Sequence, residues 1–322
     1  MTKRVSFILS VIMTACAFLA LIFCPRAAAG GARDGLSLCG GVIVPSLFPF
    51  MVLGNLISEL GLAQRLSVFF APVMKKLFGV SGAACTPFFL GLTGGYPLGA
   101  AAAAELYARG EIDKSEAEHL LGFCNNTGPA FIIGVAGGGI FRSALVGFYL
   151  YAIHIISAVL TGILLRSKNA RLSKPQEPAP AKSFPAAFTV SVSRAASSCL
   201  TVCGFVVFFS VLVGLLDASS ALPTLTGRLS ELLGCELHFI RSMLTGFLEL
   251  GTGISSMRGL AVSAGSLALC SFILAFGSLS VHAQSLAVIG EGGLSSVWHL
   301  PGKLLHGFLS ALITVLTFPL FF

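Results

Sequence analysis

The feature that most constrains this chain is an apolar segment, Leu120 to Gly139, that polar and helix-breaking residues interrupt at its centre. Asn125 to Pro129 place two amides, a hydroxyl, a glycine and a proline in succession. Proline lacks a backbone donor and disfavours helix in the residue before it, so backbone groups near Pro129 should stay unpaired. In hydrocarbon such groups are tolerated only inside protein or against a water-filled cavity. The segment therefore favours a broken membrane helix at a binding site over a purely structural kink.

The composition predicts an all-α, polytopic helical membrane protein, because 55% of the 322 residues are hydrophobic and only 10% are charged. The formal net charge of +7 does not point to nucleic acid, since the Lys and Arg lie between apolar segments, where they set topology. The nine cysteines occur singly, without a C-x-x-C motif or a histidine at ligand spacing. We therefore expect neither a metal site nor a cofactor.

Residues 1–34 are predicted to form a retained signal-anchor helix followed by a loop. Lys3 and Arg4 precede the apolar run Val5–Cys24, and Ala27–Ala29 resembles a signal-peptidase site. The run is roughly 20 residues long, which exceeds a typical signal-peptide core and suffices to cross a bilayer. An anchor is thus favoured over a cleaved signal peptide.

Three further apolar segments are interrupted in the same way, so the chain has four breaks. In chain order, the first break is Thr93-Gly94-Gly95-Tyr96-Pro97 within Cys85–Ala104, and the second is Asn125–Pro129. The third is Gly251–Gly253 within His238–Leu260, and the fourth is Gly277–Ser285 within Ala264–Ile289. The uninterrupted spans are Gly35–Ser58, Ser143–Leu165, Ala195–Leu216 and Leu300–Phe322, and the amphipathic stretches Gln64–Phe78 and Ala221–Leu233 suit the membrane interface. Glu105–Glu118 is expected to be a short charged connection.

Residues 166–194 are predicted to be a cytosolic linker, because their interleaved prolines and basic residues cannot pack a core. The linker separates residues 35–165 from residues 195–322, and the two parts echo each other. The segment ending at Gly95 aligns weakly with the one ending at Gly253, and the segment ending at Thr127 with the one ending at Ser280. Paired interrupted segments in two halves are typical of transporter sites.

Topology then predicts how the two repeats are related. A cytosolic N-terminus and a cytosolic linker require an even number of crossings between them, whereas five apolar segments are present. Cys85–Ala104 is the best candidate for a re-entrant segment. Each repeat then has three crossings, an odd number, so the repeats should be inverted relative to one another.

The motifs LTGGYPLGA, at residues 92–100, and CNNTGPAFIIG, at residues 124–134, resemble those of the sporulation integral membrane protein family called YlbJ. Proteins of this family are built of paired nucleoside-recognition or "gate" domains, and the resemblance extends from Gly35 to the C-terminus. It implies a fold distantly similar to concentrative nucleoside transporters. It also implies a role in spore maturation, with movement of dipicolinate from the mother cell toward the forespore across the mother-cell-derived membrane.

Candidate substrate-binding residues come from the four breaks. They are Thr93, Gly94, Gly95, Tyr96, Asn125, Asn126, Thr127, Gly128, Thr252, Ser278, Ser280, His282 and Gln284. Asn125 and Asn126 each offer donors and an acceptor to a carboxylate or a heterocycle, the alternative being polar contact between helices. Helices that restart after the breaks would present their N-termini to an anion.

Glu249 is the one carboxylate central to an apolar segment, so we expect a coupling or gating role for it. The alternative is a structural pair with Arg241 or Arg258. His282 could titrate or bond an anion, or be a hydrogen-bonded core histidine, and His154 is expected to be structural.

Catalysis is not expected. Gly79-Val80-Ser81-Gly82 matches the G-x-S-G of rhomboid proteases, but four residues of this composition arise easily by chance. Asp34, Asp113 and Asp217 all lie at segment ends, unlike the paired membrane aspartates of an aspartyl protease, and neither H-E-x-x-H nor a P-loop is present.

The sequence therefore predicts an integral bacterial membrane protein that transports a small organic anion, most specifically dipicolinate. A nucleoside-type transporter and a non-transporting scaffold or sensor for spore cortex assembly are the alternatives. Its partners would be the substrate and the lipid bilayer, with the coupling ion, H⁺ or Na⁺, and a homo-oligomeric state left open.

Overall fold

The structure is a computed structural model that describes residues 2–166 and 183–322, and within these ranges every regular element is helical. Five helical stretches are long and apolar enough to cross a membrane. They are Pro25–Glu59, Ala144–Leu164, Phe184–Ala218, Ala264–Glu291 and His299–Phe321. The prediction of an all-α, polytopic membrane protein is confirmed.

The first half, up to the linker, contains eight α-helices and several tighter or wider helical turns. The α-helices are α1 (Thr2–Phe23), α2 (Pro25–Leu38), α3 (Val44–Glu59), α4 (Leu62–Phe78), α5 (Cys85–Gly94), α6 (Leu98–Ala108), α7 (Lys114–Leu120) and α8 (Ala144–Leu164). π-Helical stretches at Cys39–Ile43 and Ala130–Ile140 precede α3 and α8, and a 3₁₀ turn at Gly82–Ala84 precedes α5. Helix α4 meets the following helix at a bend of 92°, so this pair is either a broken span or a re-entrant loop.

The second half repeats this order of elements from its first long helix onward. Its helices are α9 (Phe184–Ala218), α10 (Ala221–Leu233), α11 (Leu237–Leu248), α12 (Leu250–Ser256), α13 (Ala264–Phe276), α14 (Leu279–Glu291) and α15 (His299–Phe321). Both halves contain, in this order, a long helix, an amphipathic helix, a pair of short helices, a broken pair and a last long helix. The order agrees with an internal repeat, and the inversion of the two repeats stays a prediction.

The structure differs from the sequence-based boundaries at five places. Residues 25–34, expected to be a loop, belong to α2, whose Pro25 occupies the first turn, where a missing N–H costs nothing. Helix α9 begins at Phe184, inside the predicted 166–194 linker, whose residues 167–182 lie outside the described residues. The charged connection Glu105–Glu118 is helical at both ends. The third break lies at Glu249, two residues before Gly251–Gly253, and the fourth is confined to Gly277 and Ser278.

Close backbone contact joins α2 to α9, and glycines permit it. A Cβ added at Gly31 would collide with backbone atoms of Ser210 and Val211, and one at Gly35 would collide with Val207. Small residues spaced four apart let membrane helices approach closely enough for extensive van der Waals contact. Helix α9 also packs against α3, so it holds the first half against the second.

Inverted repeats require the linker and the C-terminus to lie on opposite sides of the membrane. Single cysteines introduced at Ser173 and at Phe322, in a background without the native cysteines, should react with a membrane-impermeant maleimide from opposite sides. Reaction of both positions from the same side would contradict the inversion. Labelling after detergent lysis controls for intrinsic reactivity.

Candidate functional site

The four breaks meet around one cavity of about 50 Å³. Gly95 and Tyr96 line it from the first break, Thr127 and Gly128 from the second, Glu249 to Gly251 from the third, and Val281 and Gln284 from the helix after the fourth. Ile43, Leu47, Phe131, Val202 and Val206 complete an apolar wall. The predicted convergence of the interrupted segments is thus present in the structure.

Glycines bring the first two breaks together. A Cβ at Gly91 or at Gly99 would collide with the carbonyl oxygen of Cys124, so the second break lies directly in the angle between α5 and α6. Gly95 has a φ of 86°, which favours glycine, and a Cβ there would lie 3.0 Å from the backbone nitrogen of Gly128. The two motifs therefore form one compact unit.

Asn125 is fully buried, and its side chain binds other parts of the protein rather than the cavity. Its Nδ2 donates to Ser285 Oγ at 2.7 Å, and its Oδ1 accepts from the Ala100 backbone N–H at 3.4 Å. Ala100 is in the first turn of α6, whose N–H groups have no intrahelical acceptor. Asn125 therefore caps α6 and links the second break to α14.

Asn126 and Thr127 are also held by protein atoms. Asn126 Nδ2 donates to the Phe123 carbonyl at 3.0 Å, while Thr127 Oγ1 donates to the Leu274 carbonyl at 2.6 Å. The backbone N–H of Thr127 donates to His154 Nε2 at 3.1 Å. Of the second break, only Thr127 and Gly128 line the cavity.

A buried lysine that the sequence analysis missed lies behind this break. Lys303 of α15 has 0% exposure, and its Nζ donates to the Asn125 carbonyl at 2.7 Å and to Asn126 Oδ1 at 3.5 Å. Its Nζ lies 2.9 Å from His306 Nδ1 and 5.2 Å from the centre of the Tyr96 ring. Within residues 2–166 and 183–322, the ion pairs involve other residues, and no carboxylate pairs with Lys303.

The partners of the neighbouring histidines assign their tautomers. His306 accepts from the Lys303 ammonium at Nδ1, so its proton is on Nε2, which donates to the His154 carbonyl at 3.1 Å. His154 accepts the Thr127 N–H at Nε2, so its proton is on Nδ1, which is buried without a hydrogen-bond partner. With Lys303 protonated, these hydrogen bonds are satisfied with both imidazole rings neutral.

Glu249 also lines the cavity, and it caps α12. Its backbone is extended, and its Oε2 accepts from the Thr252 backbone N–H at 2.5 Å. Glu249 as a whole residue is 1% exposed. Arg241, one of the two bases expected as a possible salt-bridge partner of Glu249, pairs with Asp217 instead. The N–H groups in the first turn of α12 partly offset the cost of burying this carboxylate.

The remaining predicted residues have mostly local roles. Ser278 caps α14 by accepting from Val281 N–H, Gln284 donates to Ser280 Oγ at 3.2 Å, and His282 Nδ1 lies 3.1 Å from His299 Nε2. Thr93 donates to the Phe89 carbonyl of its own helix, and Gly94 is packed against Leu98.

The predicted residues that line the cavity are Gly95, Tyr96, Thr127, Gly128, Gln284 and Glu249. The sequence does contain a signal for this missed group, because Lys303 lies inside the predicted span Leu300–Phe322. A charged side chain in hydrocarbon is costly and often marks a functional position. His299 and His306 accompany it at helical spacing.

The close packing of the breaks predicts that Gly99→Ala destabilises the protein, because the new methyl group would push Cys124 out of the angle between α5 and α6. Overpacking of this kind costs about 1–3 kcal/mol. The thermal unfolding transition in detergent should therefore fall by several degrees. Gly134→Ala is the matched control, since nothing lies within 4 Å of its added Cβ. Equal transitions for the two variants would contradict the packing.

The chain is similar to known proteins in sequence and in structure. Residues 41–166 match the Gate family, described as nucleoside recognition. Over 317 residues the chain is 27% identical to the sporulation integral membrane protein YlbJ of Bacillus subtilis (strain 168), covering 91% of this chain and 78% of that protein. Among solved structures, inward-facing, substrate-bound CNTnw has a TM-score of 0.47 at 13% identity, covering 99% of this chain and 85% of that one. An outward-facing CNTnw variant has a TM-score of 0.46 at 14% identity, covering 99% and 86%.

The predicted family resemblance is confirmed by the sequence comparisons. Five apolar helical stretches are features of an integral membrane protein, and broken helices around a cavity are typical of transporter sites. The chain is therefore an integral membrane protein that carries a Gate-type segment and is similar over most of its length to a sporulation integral membrane protein.

Proposed function

We propose that this protein transports a small organic anion across the membrane, with the cavity between the four breaks as the substrate site. The observation that carries the proposal is Lys303. It is fully buried, no carboxylate pairs with it in the described part of the chain, and its ammonium faces the Tyr96 ring that lines the cavity. A buried charge without a counter-ion is costly, and an anion bound in the cavity would supply one.

The attraction between Lys303 and a bound anion is large enough to favour an anion over a neutral substrate. Two opposite unit charges about 8 Å apart attract each other by about 2 kcal/mol at an effective dielectric constant of about 20. The same lysine would offer a neutral nucleoside no comparable gain. Glu249, which lines the cavity, opposes an anion when ionised, so substrate binding should favour its protonated or displaced state.

Helix N-termini contribute less to anion binding than the sequence pattern suggested. Asn125 caps α6, Glu249 caps α12 and Ser278 caps α14, so several of their free N–H groups already have acceptors. The proposed preference for an anion therefore rests on the lysine rather than on helix dipoles.

The cavity must enlarge before it can hold an organic substrate. A water molecule occupies about 30 Å³ of liquid, so a cavity of about 50 Å³ has room for little more than water. Separation of the breaks, which contact one another through backbone atoms at Gly95 and Gly128, would open it. Such closed-to-open changes commonly gate substrate sites.

Dipicolinate is the specific substrate we propose, since it is a small dicarboxylate and the relative's name places that protein in sporulation. The membrane around the forespore would then be the site of transport. A nucleoside is the second candidate, because the Gate family is described as nucleoside recognition. The two candidates differ in charge, so the role of Lys303 separates them.

Lys303→Gln should lower dipicolinate uptake into proteoliposomes about tenfold or more, because it removes the charge while keeping an N–H donor for Asn125. Lys76→Gln, on the exposed last turn of α4, is the matched control and should transport like wild type. Both variants should elute as folded protein in size-exclusion chromatography.

Unchanged dipicolinate uptake in Lys303→Gln would remove the lysine from the substrate site. Uptake of uridine that is insensitive to this variant would favour the nucleoside reading. Flux of neither compound in wild type would favour a scaffold or sensor.

Glu249→Gln tests the proposed coupling or gating role of the carboxylate. The amide keeps an oxygen acceptor for the Thr252 N–H, so the cap of α12 should persist and the thermal transition should change little. We expect the dependence of dipicolinate uptake on the pH or sodium gradient to be lost. A variant with the full rate and an unaltered gradient dependence would show that Glu249 is structural only.

A further inference from the structure

Helix α4 packs one face against the protein and leaves the other exposed. On the inner face Phe78 is buried, and the centre of its ring lies 5.1 Å from that of Phe123, two residues before the second break. On the outer face Leu62, Phe69 and Val73 are 41%, 75% and 45% exposed. Their spacing of seven and four residues places them in one stripe along the helix. The outer face of α4 therefore presents an apolar stripe to its surroundings.

Three basic residues lie on one side of this apolar stripe. Arg65 and Lys76 are about three helical turns apart, so they share a side of α4, and Lys75 adjoins Lys76. All three are exposed, and the sequence of α4 contains no Asp or Glu. An exposed apolar stripe beside basic residues is typical of a helix that lies in a membrane interface.

The charges of α4 are not neutralised by the protein. Among the ion pairs that join described residues, none includes Arg65, Lys75 or Lys76. The nearest carboxylate along the chain, Glu59 at the end of α3, pairs with Arg194 at 2.7 Å. The surface around α4 is therefore complementary to an external negative charge.

The direction of α4 suits the surface of the membrane. It meets the following helical stretch at 92°, and a crossing with Lys75 and Lys76 in hydrocarbon would be costly. The pair between Glu59 and Arg194 also places the start of α4 beside the start of α9, which follows the linker expected to be cytosolic. Helix α4 is thus expected at the cytosolic interface.

The corresponding helix of the second half, α10, has the apolar surface without the excess charge. Leu232 and Leu233 are 78% and 55% exposed. Its charged residues are Arg228 and Glu231, which cancel. The two amphipathic helices therefore differ in charge, and only α4 matches a negatively charged membrane surface.

We propose that α4 is a binding site for anionic phospholipids of the cytosolic leaflet. Leu62, Phe69 and Val73 insert among the acyl chains, while the basic residues bind the headgroup phosphates. A zwitterionic headgroup carries its own cation beside the phosphate, so a lipid with a net negative charge is preferred. The site is separate from the cavity, and it does not depend on the proposed transport of an anion.

A second copy of the chain is a poorer occupant of this face. Two-fold symmetry would place the same patch on both sides of the contact. The unpaired basic residues of the two helices would then lie close together and repel each other. Lipid headgroups supply the opposite charge instead.

The test measures lipid selectivity at α4 by quenching of tryptophan fluorescence. The sequence contains one tryptophan, Trp298, so Phe69→Trp in a Trp298→Phe background places a single reporter on α4. The full chain is reconstituted in phosphatidylcholine vesicles that contain brominated phosphatidylglycerol or brominated phosphatidylcholine, whose bromine atoms quench tryptophan on contact. We expect phosphatidylglycerol to bind at the reporter about fivefold more tightly, the gain that one basic residue near an anionic surface provides.

Matched variants separate the charge of α4 from its apolar stripe. Adding Lys75→Gln and Lys76→Gln to the α4 reporter should lower the preference for phosphatidylglycerol toward one, whereas Lys75→Arg and Lys76→Arg should keep it. Leu232→Trp in the same background reports on α10 and should show no preference. High salt should weaken the preference at α4, because it screens exposed charges. Unchanged size-exclusion elution shows that each variant is folded.

Equal binding of the two lipids at the α4 reporter would overturn the proposal, and so would a preference that survives the loss of both lysine charges. Quenching by neither lipid would show that a second copy covers this face, which would overturn it as well.

Discussion

The contact on which the rest of the site depends is the one between the Lys303 ammonium and the backbone carbonyl of Asn125. A broken helix inside a membrane leaves carbonyl groups without intrahelical donors, and each would cost free energy if it stayed unpaired. Lys303 supplies a donor to this break from another helix, and the break in turn solvates a charge that hydrocarbon cannot. Each feature therefore stabilises the other.

The same exchange of partners occurs around the other breaks. Asn125 caps α6, Thr127 donates to a carbonyl of α13, and Tyr96 OH donates to the Ala275 carbonyl at 3.0 Å. The first-half breaks are therefore satisfied by partners from both halves of the chain. Any movement that opens the cavity must break some of these hydrogen bonds, and a bound substrate is well placed to replace them.

Much of the architecture could be predicted from the sequence because its signals are local. Apolar length identified the spans, and the Asn-Asn-Thr-Gly-Pro run identified a break. The burial of Lys303 could not be read so easily, because lysines near a span usually flank it at the interface. Its position, four residues after the first residue of α15, left both readings open until its contacts with the second break and with His306 were seen.

The roles of individual polar residues were harder to predict than their location. Asn125 and Asn126 have the chemistry of a binding site, yet their side chains bind Ala100, Ser285, Phe123 and Lys303. The sequence shows which hydrogen-bond donors and acceptors each side chain has, but it does not show which groups they bind in the folded protein. The exact break at Glu249 was missed for a similar reason, since the carboxylate caps α12 instead of ending a glycine-rich turn.

The central claim is that a fixed positive charge makes this cavity select anions. The most direct measurement compares the binding of dipicolinate with that of its neutral dimethyl ester by wild-type protein in detergent. The two compounds share a ring and differ in charge, so the account predicts that dipicolinate binds about tenfold or more tightly than the ester. Equal affinities, or tighter binding of the ester, would contradict it.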